Sequence, residues 1–159
     1  MILPGHLASA IIASRLPGMH RPTALAASLF PDLFDKMLHW IFHATPSDRL
    51  WGHTAWAMVG TTVIAWTLEK GLQKPNVGRS WLWGYAVHLA GDITAPVPLL
   101  YPLSRRGVHM GARMREILQG NRRFPWRVLA SEGLLAMAAM TLELHAYRQR
   151  RSTGRNSHV

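Results

Sequence analysis

His88 and Asp92 stand four residues apart in HLAGDITAPVPLLYP (88–102), a run that is otherwise apolar or tightly turned. A lone carboxylate buried there costs several kcal/mol, on the order of a buried ion's penalty. On an α-helix, residues four apart lie about 40° apart around the axis and roughly 6 Å along it. The two side chains therefore share a face and can reach one ion, His through a neutral imidazole nitrogen and Asp through a hard anionic oxygen. That ligand mixture suits zinc first, then manganese or iron. Taken alone, the pair fits equally well a hydrogen-bonded His–Asp couple inside a helical bundle.

Three more segments carry ligand-type side chains close to expected helix ends, where several helices can converge. His6 lies in PGHLASAIIAS, Asp32 and Asp35 in FPDLFDK, and His53 in DRLWGHTAW. Each has a plainer reading: an exposed amino-terminal imidazole for His6, a packing partner of Trp51 or Trp56 for His53, and simple complements of a helix dipole for the two aspartates. His39 and His43 continue the Asp35 stripe at four-residue steps and read as a solvated face. His20, His109, His145 and His158 lie beside arginines or in loops and read as surface residues.

The elements that must position these groups are helical throughout, because strand-like alternation is missing and alanine and leucine dominate the apolar positions. The fold class expected is all-α, a bundle of about five to six helices. The first runs from about Pro4 to Arg15 and stops at Pro17-Gly18. Pro22 opens a second that ends before Pro31, and Pro31 starts a third, DLFDKMLHWIFH. A long apolar helix spans Gly52 to Lys70 with Gly71 as its stop. Ser80 caps WLWGYAVHLAGDIT, which Pro96 ends. A Pro/Gly/Arg-rich connection (96–112) leads into a short basic helix, MGARMREILQ, and Pro125 opens a last helix to about Arg150. Residues 1–150 read as one domain and 151–159 as a disordered basic tail.

Cysteine is absent, which excludes disulfides and thiolate metal sites, so His, Asp or Glu must hold any ion. The formal charge is +10, and 11 of the 18 basic residues follow Arg105 inclusive, all of them arginine. Such a basic half suits an anionic surface, phospholipid headgroups ahead of nucleic acid. No secretory signal is evident, since MILPGHLASAIIASRLPG lacks a basic start. The longest uncharged run apart from histidine, Thr54 to Leu68, falls short of the roughly 18 to 20 residues of a span. Tryptophans at 40, 51, 66, 81, 83 and 126 fall near expected helix ends, as an interfacial belt would place them. The protein reads as membrane-associated, at the inner or cytoplasmic membrane if bacterial.

In order, PGHLASAIIAS, FPDLFDK, SDRLWGHT and HLAGDITAPVPLLYP resemble the family of membrane-bound metal-dependent hydrolases. Members carry an amino-terminal GH, a PD motif often continued as PDLxDK, an Arg shortly before a Gly-His or Thr-His element, and a late HxxxD with a proline-rich sequel. The resemblance covers roughly residues 4 to 106. It implies that His6, Asp32, His53, His88 and Asp92 are metal ligands, with Asp35 and Arg49 as companions. Many members have His where Asp48 precedes Arg49 here. The chain is more distantly similar to the zinc-dependent phospholipase C and single-strand nuclease superfamily.

The chemistry expected is hydrolysis of a phosphate ester or related ester by metal-activated water, with zinc the expected divalent ion and a lipid or small-molecule ester as substrate. In that reading Arg49 neutralises developing charge, Asp35 orients or deprotonates the water, and Arg105 and Arg106 hold an anionic headgroup. There is no GxSxG elbow and no Gly-rich phosphate loop. The rival reading is a non-enzymatic membrane or nucleic-acid adaptor whose metal only pins helices together.

Overall fold

The computed structural model describes residues 3–92, 97–108 and 126–155. Five α-helices form it: α1 (Leu3–Ala13), α2 (Arg21–Lys36), α3 (Ala55–Leu72), α4 (Val77–Asp92) and α5 (Trp126–Arg155). No strand occurs among the described residues, so the all-α helical bundle stands. α4 lies at the centre and packs on α1, α2 and α3, while α5 packs on α1 alone. At the α2–α4 crossing the backbones approach closely: a Cβ on Gly84 would sit 2.2 Å from the Ala24 carbonyl oxygen. Only a glycine lets the two backbones meet there.

Several helix boundaries differ from the sequence reading, each for a local reason. Pro31 does not end one helix and start another, because α2 runs through it as far as Lys36. A proline's φ is compatible with a helix, and its penalty is the lost N–H and the crowding of the preceding turn, about 3 kcal/mol. Here that turn is held by outside contacts. Pro31 is buried, and the Ser28 carbonyl accepts from His88 Nδ1 at 2.6 Å. α2 then passes into a π-helical turn, Met37–Ile41, and the chain breaks at His43 with φ +49°.

Gly71 is not the stop of the long helix. It lies inside α3, and Gln73 takes the left-handed conformation two residues later. The helix starts three residues past Gly52, where Thr54 caps it by accepting from the Ala57 N–H at 3.1 Å. Ser80 does not cap α4 either. Its hydroxyl donates back to Asn76 O at 2.6 Å and accepts from the His20 N–H at 2.7 Å, tying the start of α2 to α4. The cap comes instead from α3, where the Glu69 carboxylate accepts from Asn76 N–H at 2.9 Å and Gly78 N–H at 2.8 Å. An anion at this end complements the helix dipole.

The last helix continues to Arg155, so residues 151–155 extend it rather than forming a disordered tail. Glu143 on α5 accepts from Arg15 at 2.7 Å and pairs with Arg21, which fastens that helix to α1 and the start of α2. The expected end of the HxxxD helix at Pro96 and the basic helix MGARMREILQ lie outside the described residues.

Candidate metal centre

α1 brings His6, α2 brings Asp32 and Asp35, the loop ahead of α3 brings His53, and α4 brings His88 and Asp92. All six side chains are buried. His88 and Asp92 share the inward face of α4, as their spacing requires, and meet the others where α1, α2 and α4 converge. Two overlapping ligand groups result, His6 with Asp32 and His88, and His53 with His88 and Asp92.

The tautomers are fixed by what lies behind each ring. His88 Nδ1 faces the Ser28 carbonyl oxygen at 2.6 Å, which can only accept, so this nitrogen carries the proton. His53 Nδ1 faces Asp35 Oδ2 at 2.7 Å and carries its proton likewise. Both Nε2 atoms then point inward, 3.2 Å apart. Two bare imidazole lone pairs at that separation repel unless a proton or a metal cation lies between them. The carboxylates complete the arrangement. His53 Nε2 is 3.4 Å from Asp92 Oδ2 and 3.7 Å from Asp32 Oδ1. His88 Nε2 is 3.7 Å from Asp92 Oδ2, and His6 Nε2 is 3.3 Å from Asp92 Oδ1.

These separations decide what the cluster fits. The four nitrogen–oxygen separations exceed the usual range of about 2.7–3.2 Å for an N–H···O hydrogen bond. A tetrahedron with metal–ligand bonds of about 2.0–2.1 Å has edges of about 3.3 Å, which falls within the observed range. In the same cluster both ring nitrogens of His6 are buried with no hydrogen-bond partner among the described residues, and Asp32 Oδ1 has only the Lys36 ion pair. Buried polar atoms are rarely left so. The donor set and the spacing fit a divalent ion.

The electrostatics differ from ligand to ligand. Burial, with the imidazoles of His6 and His53, pushes His88 down to about 3, so it is neutral, as a metal ligand must be. Burial works against ionising Asp92, yet His53, His6 and Arg49 hold its carboxyl well below the usual range. Asp32 is likewise opposed by burial and lowered, chiefly by Lys36. For His53 burial lowers the pKa, and the carboxylates of Asp35 and Asp92 raise it past the ordinary value.

Asp35 sits behind His53. Its oxygens accept from Leu50 N–H, Gly52 N–H and His53 Nδ1–H, each at 2.7 Å. Such a carboxylate–histidine pair orients a metal ligand and raises its basicity. Gly52 makes the approach possible, since a Cβ there would lie 2.7 Å from the Pro31 carbonyl oxygen. Arg49 reaches Asp92 Oδ2 at 3.1 Å with its side chain 19% exposed, so it stands between the cluster and solvent.

A family model matches residues 2–155, that of the YdjM inner membrane protein. The chain belongs to the YdjM inner membrane protein family. No curated protein and no solved structure matches it. The YdjM membership supports the expected membrane association, although among the described residues no helix is long and apolar enough to cross a membrane.

The other histidines of the described residues stand apart from the centre. His39 Nδ1 closes a loop onto Thr45 O at 2.8 Å, His20 pairs with Thr23, and His145 with Gln149. His109 and His158 fall outside the described residues. Arg105 and Arg106 are exposed. Sequence reasoning missed two supporting residues. Lys36, 47% exposed, reaches Asp32 Oδ1 at 3.2 Å. Tyr85 is fully buried and donates to Gly52 O at 2.5 Å, holding the His53 loop against α4. Both were findable: Lys36 ends FPDLFDK one turn after Asp32, and Tyr85 precedes His88 by three residues on the same helix.

Proposed function

We propose that the chain is a membrane-associated, metal-dependent hydrolase that cleaves a phosphate ester or related ester, with lipid esters as the favoured substrates. One observation carries the reading: two inward imidazole nitrogens 3.2 Å apart, each with its other nitrogen already committed, beside the carboxylates of Asp32 and Asp92. His6, Asp32, His53, His88 and Asp92 are the residues that would hold the ion, and zinc suits this nitrogen and oxygen set best. A divalent ion there supplies Lewis acidity and lowers the pKa of water to about 7.

The chain's own groups do the remaining work. Asp35 keeps His53 in the tautomer whose Nε2 faces the centre, which makes it a positioning residue for that ligand rather than the group expected to orient or deprotonate the water. Arg49 offsets negative charge as it develops on an ester oxygen, from the solvent side of Asp92. Lys36 holds Asp32 ionised and in place.

A second reading has a specific observation in its favour. All five ligands are buried, as in a closed structural site rather than one with an open position. The ion then pins four segments together and the chain works as a membrane or nucleic-acid adaptor. Two measurements separate the readings. Metal analysis of the detergent-purified chain is expected to find bound divalent ion, lost in the His88→Ala/Asp92→Ala variant. Equal metal in both removes the centre altogether. Chromogenic phosphate and carboxyl esters, assayed with zinc or manganese, are expected to show turnover that tracks metal and disappears in Asp92→Ala. Metal without turnover on any ester selects the structural ion.

A further inference from the structure

α3 has the composition of a buried helix and the surroundings of an exposed one. From Ala55 to Leu68 it carries no charged residue. A helix apolar on every side belongs in a core or against lipid. Yet among the described elements α3 packs on α4 alone, turning Thr62 and Ala65 inward. At 100° per residue, roughly, Trp56, Val59, Val63 and Ile64 fall within one outward arc, and Trp66 lies at its edge with its indole against Gly78 of α4. Each of the five is about half exposed, Trp56 at 54% and Val63 at 50%. Single exposed apolar side chains are ordinary, but a continuous strip marks a contact surface.

The charge pattern selects the occupant. The strip ends in Lys70, followed by exposed Lys74 and Arg79, with no aspartate and only Glu69 nearby, whose carboxylate is taken by the start of α4. Trp56 and Trp66 are ten residues apart, about 15 Å along the axis, at the two ends of the strip. Tryptophan prefers the boundary between acyl chains and headgroups, and cations beside it prefer anionic lipid. Membership of an inner membrane protein family agrees. We infer that the outward face of α3 is the membrane-docking surface, lying along an anionic phospholipid interface with Trp56 and Trp66 at similar depth. The helix begins two residues after His53, so docking in this way holds the metal centre at headgroup level. The inference goes beyond the hydrolase reading and does not depend on turnover.

The test is flotation of the purified chain with vesicles of phosphatidylethanolamine and phosphatidylglycerol. Val59→Glu/Val63→Glu alters two outward side chains, so helix content and metal content should match the native chain. Its partition into vesicles is expected to fall by about tenfold or more. In a second arm, tryptophan emission is read in vesicles with brominated acyl chains, and Trp56→Phe and Trp66→Phe should each remove part of the quenching. Native-like partition by a folded Val59→Glu/Val63→Glu chain overturns the inference. So does a native dimer that this variant converts to monomer while vesicle binding persists, because a second copy then covers the face. If the double variant does not fold, unchanged quenching in both Trp→Phe chains overturns it.

Discussion

Asp35 shows how a residue can govern a centre it does not touch. Its two oxygens take three donors, two from the loop backbone and one from His53. Asp35→Asn keeps the size but gives up the charge and one acceptor, and leaves His53 free to adopt the wrong tautomer. Metal affinity, measured by calorimetric titration, is expected to fall by about 10- to 100-fold, the usual effect of losing such a partner. Arg49→Ala is expected to behave differently. It removes the cation beside Asp92 Oδ2 while leaving every ligand in place, so metal content stays near native and ester turnover drops. A variant that loses both together would assign Arg49 to holding the site instead of serving the reaction. That His88 and Asp92 would meet was readable from sequence, because HxxxD spacing forces them onto one face. The tautomers of His88 and His53 were not, since these depend on a carbonyl from Ser28 and a carboxylate from Asp35 that only the fold delivers.

At the scale of elements, the close approach of α2 and α4 governs how the centre is assembled. Gly84→Ala would put a methyl 2.2 Å from Ala24 O, so α2 and α4 must part or bend. Overpacking of this kind costs about 1–3 kcal/mol, and because these helices carry three of the five candidate ligands, metal affinity should fall with stability. Denaturant unfolding beside metal titration checks both. The helical class and most of the helices were legible in the sequence, but their ends were not. Pro31 and Gly71 are strong local punctuators, and both were overruled. Pro31 is held in α2 by burial and by the His88 contact with the adjoining turn, a tertiary effect invisible to a local reading. α4 is capped across space by Glu69 and not by its own Ser80, for the same reason. α5 offers a prediction of its own. The hydrogen bond from Arg15, with that from Arg21, holds the Glu143 carboxyl below its ordinary value of 4.5. Its contribution is therefore full above that pH and is lost as the pH falls through the folded value. Glu143→Gln should loosen α5 at neutral pH by no more than about 1 kcal/mol, given its exposure, and match native in acid. Hydrogen exchange along α5 reads the difference.

For the molecule as a whole, the centre concentrates buried charge that no apolar core would tolerate unfilled. Asp32, Asp35 and Asp92 lie together with Arg49 and Lys36 as the neighbouring cations. A divalent ion that binds only the folded chain should stabilise it by about 2.7 kcal/mol at a hundred times its dissociation constant. Thermal unfolding in excess zinc, compared with chelator, is expected to shift by several degrees, and His88→Ala/Asp92→Ala should abolish the shift.

Every candidate ligand lies between residues 6 and 92, and α5 carries none of them, packing on α1 and tied to the start of α2 only through the Glu143 ion pair. The residues of α5 are thus free to drift under different selection from those that build the centre. Saturation mutagenesis should expose this as an abrupt change in tolerance, with the amino-terminal portion intolerant at its buried polar positions and α5 permissive outside Ala139 and Glu143, so that lineages could refit this helix to new surroundings without disturbing the chemistry.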